Sequence, residues 1–301
     1  MKKRLAVLIF TALMLILAAC SSDDSGDASG GDGDSGSDGD SRLAKIQDKG
    51  TVTVGFANEK PYGYEEDGEL KGAAVDIATA VFKELGVDDV EGHLSDYDQL
   101  IPGLNAGKFD VITSGMAINP KRCENVDFGE PEMTYGEGLI VPAGNPKDLH
   151  SYSDIAETGA SVTIMSGATE IEYVKTEGVE EGQIQDVADI PATFSAVESG
   201  RADATTGTEM TVKMALESAN NDNLEFVEDF EQPDIEGVPS YGAAAFNPDN
   251  EKLREAYNEE LAKLIDDGTV ADLLEKNGYN PDTNAPPEDK TTEAICSGEK
   301  Y

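Results

Sequence analysis

Two side chains that could do chemistry stand three residues apart: Glu59 and Tyr62, in Asn58-Glu-Lys-Pro-Tyr-Gly63. They follow directly on Thr51-Val-Thr-Val-Gly-Phe56, whose alternating, β-branched pattern predicts a strand. Loops at the carboxyl ends of strands in α/β sheets face the crevice where ligands sit, so the pair is placed to meet one. A carboxylate there can accept hydrogen bonds or move a proton, and a phenol ring can stack on a flat cationic group. Arg122 adds a guanidinium, which offers a carboxylate two parallel donors where a lysine offers a point charge. On residue type alone it could equally pair with any of the 61 acidic residues. Thr169 follows Ser166-Gly-Ala168 ahead of a predicted helix, where free N–H groups suit an anion or where the hydroxyl simply caps the helix. The chain offers no spacing of nucleophile and base and no metal-ligand pattern, and its two histidines, His93 and His150, lie far apart. The expectation is a binding protein rather than an enzyme, with neither cofactor nor metal.

The elements that must position these residues alternate. After the first strand, Val75, Ala78, Val81 and Leu85 fall at helical spacing and Gly86 stops the run, predicting a helix over 77–85. A second short helix over 96–106 and a strand over 109–114, running into Gly115, complete one unit. Strands are predicted over 136–142, 160–165, 184–187 and 202–206, with helices over 170–176 and 190–198 between them. A return strand over 243–246 and closing helices over 250–267 and 270–277 follow, and the stretch after Tyr279 reads as irregular. Two α/β units joined twice by extended segments imply two lobes with a cleft between them. Asn105-Ala-Gly-Lys-Phe-Asp-Val and Glu198-Ser-Gly-Arg-Ala-Asp-Ala echo one another, as similar lobes or the common αβ loop would produce.

Composition narrows the class. The chain has 301 residues, 39% of them hydrophobic, and a formal net charge of −39. So acidic a surface repels phosphate backbones, which excludes nucleic acid as a partner, and it stays hydrated in concentrated salt. Lys2, Lys3 and Arg4 precede an apolar run of roughly 15 residues, shorter than a bilayer span and typical of a signal peptide over 1–19. It ends in Leu17-Ala-Ala-Cys20, which resembles the bacterial lipoprotein box; that resemblance implies lipidation of Cys20 and a membrane anchor facing outside or the periplasm. Ser21–Ser41, only Ser, Asp, Gly and one Ala, extends this into a disordered acidic tether over 20–42. In such an oxidising compartment the remaining pair, Cys123 and Cys296, suggests one disulfide, or two separate thiols.

Gly103-Leu-Asn-Ala-Gly-Lys-Phe-Asp-Val111, Asn119-Pro-Lys-Arg122 and Val126-Asp-Phe-Gly-Glu-Pro131 resemble the type 2 periplasmic solute-binding proteins of ABC transporters, the polar amino acid cluster, over about residues 43–280. The resemblance implies an α/β, two-lobed fold with a mixed sheet flanked by helices in each lobe. It implies lobe 1 over 43–140 and 242–301, lobe 2 over 141–241, and hinge strands near 138–142 and 241–246. It further implies a monomer that takes a small zwitterionic solute and hands it to ABC permease subunits; some proteins of this fold resemble dehydratases. Ala57-Asn-Glu-Lys-Pro-Tyr-Gly-Tyr64, Leu100-Ile-Pro-Gly-Leu104, Arg122-Cys123 and Gly144-Asn-Pro-Lys-Asp-Leu-His-Ser151 resemble the ectoine/hydroxyectoine-binding subfamily. By that resemblance Arg122 grips the ligand carboxylate with Thr169, Glu59 accepts from the ectoine amidinium, and Tyr62 and Tyr97 stack on its ring. Gly115 and Ala117 complete the lobe-one wall. Ala117 is a departure, because the subfamily has a third aromatic there; Tyr64 or a lobe-two residue would have to fill the gap. Thr208 stands where α-amino-acid binders of the family carry an Asp, which speaks for a ligand with delocalised or quaternary nitrogen unless Glu209 turns inward.

Overall fold

The computed structural model describes residues 41–298. The expected signal peptide, Cys20 and nearly all of the tether lie outside these residues. Ser41 accepts a hydrogen bond from Ala44 N as the cap of the first helix, so the folded body starts before the expected boundary at 43.

In chain order the first half runs α1 (Arg42–Lys49), β1 (Thr51–Phe56), the hairpin β2 (Tyr64–Glu66) and β3 (Glu69–Lys71), α2 (Ala73–Glu84), β4 (Asp89–Leu94), α3 (Leu100–Asn105), β5 (Val111–Ala117), α4 (Pro120–Cys123), β6 (Asp127–Phe128) and β7 (Met133–Tyr135). The middle runs β8 (Glu137–Pro142), α5 (Tyr152–Thr158), β9 (Val162–Met165), α6 (Glu170–Thr176), β10 (Ile184–Val187), α7 (Ile190–Glu198), β11 (Ala204–Thr208), α8 (Glu209–Ala219) and β12 (Leu224–Phe226). The chain ends with β13 (Ser240–Phe246), α9 (Glu251–Asp266), α10 (Thr269–Lys276), α11 (Pro281–Asn284) and α12 (Thr292–Cys296).

Two mixed sheets result, each with helices on its faces. Lobe one has the order β4-β1-β5-β13-β6, with β7 also on β13; lobe two has β10-β9-β11-β8-β12. In each, three parallel strands meet one antiparallel strand: β13 beside β5 in lobe one, β8 beside β11 in lobe two. Alternation along a strand feeds both faces, as in β8, where Leu139 and Val141 join one core cluster and Ile140 the other. The crossings correct the expected hinges. β8 lies wholly in the second sheet, so the first crossing is at Gly136 rather than at 138–142. Likewise β13, from Ser240, lies wholly in the first sheet, so the second crossing precedes it.

The remaining differences have local causes. β4 shows an edge strand's exposed pattern, with Gly92 and two acids, and carries little apolar signal. α8 buries only Thr211 and Val212, so its sequence lacks a strong apolar stripe. The C-terminal segment, expected to be irregular, forms α11 and α12. α12 is held by Ile295 in the lobe-one core, by Thr292 N on Glu130 and by a disulfide between Cys296 and Cys123 of α4.

That disulfide closes a long chain loop and should stabilise the protein by about 2–5 kcal/mol. Reductant is expected to lower the thermal midpoint of the wild type, and the Cys123→Ser/Cys296→Ser protein should match the reduced wild type and ignore reductant. Identical melts with and without reductant would contradict this.

Candidate functional site

The ends of the parallel strands deliver the candidate residues to one crevice. Glu59 and Tyr62 leave β1 in a tight turn closed by Tyr62 N and Gly63 N, both donating to Glu59 O, at 3.0 and 3.1 Å. The turn sets both side chains toward lobe two. Tyr62, 1% exposed, lays its ring against Gly115 at the end of β5. A Cβ at Gly115 would lie 2.2 Å from Tyr62 Cδ1, and the backbone there has φ +55°, so glycine is required on both counts.

Tyr62 and Glu59 are joined through lobe two by a chain of hydroxyls. Tyr62 Oη donates to Thr208 Oγ1 at 2.8 Å, Thr208 Oγ1 donates to Thr211 Oγ1 at 2.9 Å, and Thr211 Oγ1 donates to Glu59 Oε1 at 2.8 Å. Thr208 ends β11 and Thr211 lies in the first turn of α8, so each end of the chain crosses the cleft. Glu59 is deeply enclosed. Burial pushes its carboxyl up from 4.5 to about 7, Thr211 and Arg122 pull it down, and Glu170 pushes it up.

Arg122 is presented by α4, one short helical turn with Asn119 as cap, accepting from Arg122 N at 2.8 Å, and Pro120 at its start. Its guanidinium also spans the cleft: Nη1 donates to Ala117 O at 2.7 Å and Nη2 to Gly167 O at 3.0 Å. The Tyr97 ring lies 5.6 Å from its Cζ. Both terminal nitrogens thus hold backbone carbonyls, one from each lobe, where a bidentate grip on a carboxylate was expected. Three further N–H groups remain on a guanidinium after two such bonds.

Between these groups is a cavity of about 20 Å³, lined among others by Glu59, Tyr62, Tyr97, Gly115, Ala117, Thr169 and Thr208. It has room for about one water, so a larger solute enters only when the lobes part. Larger crevices flank it: about 880 Å³ on the Glu59 side and about 320 Å³ on the side of Arg122, Tyr97 and Thr169. The eight expected residues therefore converge, seven on the cavity and Arg122 on the adjoining crevice. Thr169 stands at the cap position of α6 without a side-chain cap bond.

Five residues lining the cavity were not foreseen: Ser114, Tyr135, Met165, Ala168 and Glu170. Tyr135, from β7, lines the cavity, stacks edge-on against Tyr62 at 5.4 Å and donates to Gly115 O at 2.6 Å. It is the third aromatic at the site, and it comes from lobe one. Tyr64 sits outside under the Lys60 ammonium, 4.9 Å from its ring centre, so it does not fill the place left by Ala117. Glu209 instead pairs with Lys213 at 2.6 Å and does not turn inward.

Comparisons with known proteins agree with the two-lobed fold. Residues 52–279 match the model of the bacterial extracellular solute-binding proteins, family 3. The chain is 37% identical over 260 residues to the probable amino-acid ABC transporter periplasmic-binding protein y4tE of Sinorhizobium fredii, covering 85% of this chain and 86% of that one. It is 27% identical to the arginine-binding extracellular protein ArtP of Bacillus subtilis, covering 92% and 98%. Its fold superposes on the crystal structure of EhuB in complex with hydroxyectoine with a TM-score of 0.77 and 32% identity, over 85% of this chain and 97% of that one.

The Glu59 shift gives a pH test. A carboxyl whose pKa is higher in the fold stabilises it fully below 4.5, and that stabilisation is lost as pH rises through about 7. Glu132, buried against Tyr257 and also pushed up to about 7, acts in the same direction. The thermal midpoint of the ligand-free protein is expected to fall from about pH 5 to about pH 8, and to fall less in Glu59→Gln. An equal slope in that variant would count against the assignment.

Proposed function

Because the chain belongs to the bacterial extracellular solute-binding proteins, family 3, we propose that it captures ectoine or hydroxyectoine in the cleft for an ABC uptake system. The observation that carries the reading is the convergence of Glu59 and three tyrosines, Tyr62, Tyr97 and Tyr135, on one small cavity, with the Arg122 guanidinium on the crevice beside it. A ring amidinium is flat, weakly hydrated and diffuse in charge, so aromatic faces compete well with water for it. Its N–H groups find an acceptor in Glu59 once the lobes part and Thr211 gives way. Its carboxylate takes the Arg122 N–H groups, with Thr169 beside them on lobe two. The hydroxyectoine-bound relative supports the same choice.

A polar amino acid is the second reading, favoured by the relatives described as amino-acid and arginine binders. Thr208 opposes it, since a hydroxyl is a poor partner for a buried ammonium. Release of the captured solute to permease subunits, with the protein held at the membrane through Cys20, completes the role.

Titration calorimetry with ectoine, hydroxyectoine, glutamine, arginine and glycine betaine separates the readings. Ectoine or hydroxyectoine is expected to bind most tightly. Arg122→Ala should abolish binding, and Tyr62→Ala should weaken it by about 1–3 kcal/mol. Tight binding of an ordinary amino acid with silence toward ectoine would reject the specific ligand.

A further inference from the structure

Two carboxyl groups stand together on the lobe-two side of the central cavity. Glu170 opens α6, is 4% exposed and lines the cavity beside Thr169. Glu137 opens β8 behind it, is 1% exposed, and its carboxyl lies near enough to that of Glu170 for like charge on the two to be unfavourable. Two neighbouring buried carboxylates repel one another, which favours protonation within the pair. Glu137 is the more deeply enclosed of the two. Its Oε2 takes the Tyr152 hydroxyl at 3.2 Å, while its Oε1 meets no N–H or hydroxyl donor among the described residues. Burial drives the Glu137 carboxyl well above the usual range. Burial also raises Glu170, with its own backbone N–H and the Arg122 guanidinium pulling it part of the way back. Glu170 is the member of the pair that lines the cavity.

An independent sign of a missing polar partner lies across the same space. Ser114 Oγ, on β5 of lobe one, is buried, lines the cavity and has no hydrogen-bond partner among the described residues. A buried hydroxyl left unpaired is costly, and a polar group entering the cavity would satisfy it.

We propose that Glu170 is a specificity-determining acceptor of the bound solute: it takes an N–H of the solute's cationic group from lobe two while Glu59 takes one from lobe one. Glu170 can act so only if the cleft is the solute site proposed above, whichever solute that is. The consequence is selection for cations with N–H donors on two sides, such as an amidinium or guanidinium, over fully substituted ammonium groups, which offer charge without a donor. It also gives the cation a role in closure, because it ties a carboxyl of each lobe to one group. The titratable groups around Glu170 are Glu137 and Tyr152 behind it, Tyr173 on its own helix, and Arg122, Glu59 and Tyr97 across the cleft.

Calorimetry at about pH 5 and about pH 8 with ectoine, arginine and glycine betaine, on wild type, Glu170→Gln and Glu170→Asp, tests this role. For whichever of the first two solutes the wild type takes, Glu170→Gln should weaken binding about ten-fold or more at the higher pH. The loss should shrink at the lower pH, where the wild-type carboxyl itself gains a proton. Glu170→Asp keeps the charge but withdraws it from the cavity, so it should also weaken binding and serves if the glutamine variant does not fold. Glycine betaine should bind the wild type far more weakly. Wild-type affinity in both variants, or a loss equal at the two pH values, overturns the proposal. Binding of arginine without ectoine would reject the ectoine reading yet leave Glu170 tested with arginine, and failure of the wild type to bind any of the three would remove both.

Discussion

A guanidinium buried between two separate cores is the constraint on which the rest of the cleft depends. Arg122 cannot lose its proton, so wherever it is enclosed its N–H groups must meet acceptors. In the closed arrangement those acceptors are Ala117 O from one lobe and Gly167 O from the other. Glu59 poses the opposite demand, an enclosed carboxyl in need of donors, and Thr211 of the facing lobe answers it. Arg122 Nη2 and Glu59 thus have their protein partners only when the lobes are together and become available when the lobes part, while the Ala117 bond stays within lobe one. A solute that carries an acid at one end and N–H donors at the other can replace these contacts at once.

The fold supplies that geometry by repetition. Each lobe sets three parallel strands beside one antiparallel strand, and the loops at the parallel strands' carboxyl ends face each other across the crossings. Small residues at the contact let the lobes approach closely. Gly167 packs against the Asp98 backbone, where a Cβ would lie 3.0 Å from Asp98 Cα, and turns its carbonyl to Arg122, while Gly115 admits the Tyr62 ring within lobe one. The tyrosines then close the space, with Tyr62 between Tyr135 and Tyr279.

Strands and helices with strong periodicity were readable from the chain alone: β1, α6, β10 and α7 lie within a residue or so of the expected ranges. The edge strand β4 and the weakly striped α8 were not, because exposure erases the alternation that marks a buried face. The site divides in the same way. Glu59, Tyr62 and Arg122 sit beside recognisable motifs, whereas Ser114 lies in a segment whose only local signal is that of a strand, and Tyr135 and Thr211 lie in β7 and α8, which carried no clear signal. Glu137 and Glu170 were hidden for another reason. In a chain with 61 acidic residues a carboxylate reads as solvated surface, and only three-dimensional burial separates the exceptions.

The most direct test of the cleft as the solute site is a crystal structure grown with ectoine. The expected result is the solute between the lobes, its carboxylate within hydrogen-bond distance of the Arg122 guanidinium and its ring among Tyr62, Tyr97 and Tyr135. Solute bound elsewhere, with Arg122 still donating to Ala117 and Gly167 and Glu59 still held by Thr211, would contradict the account.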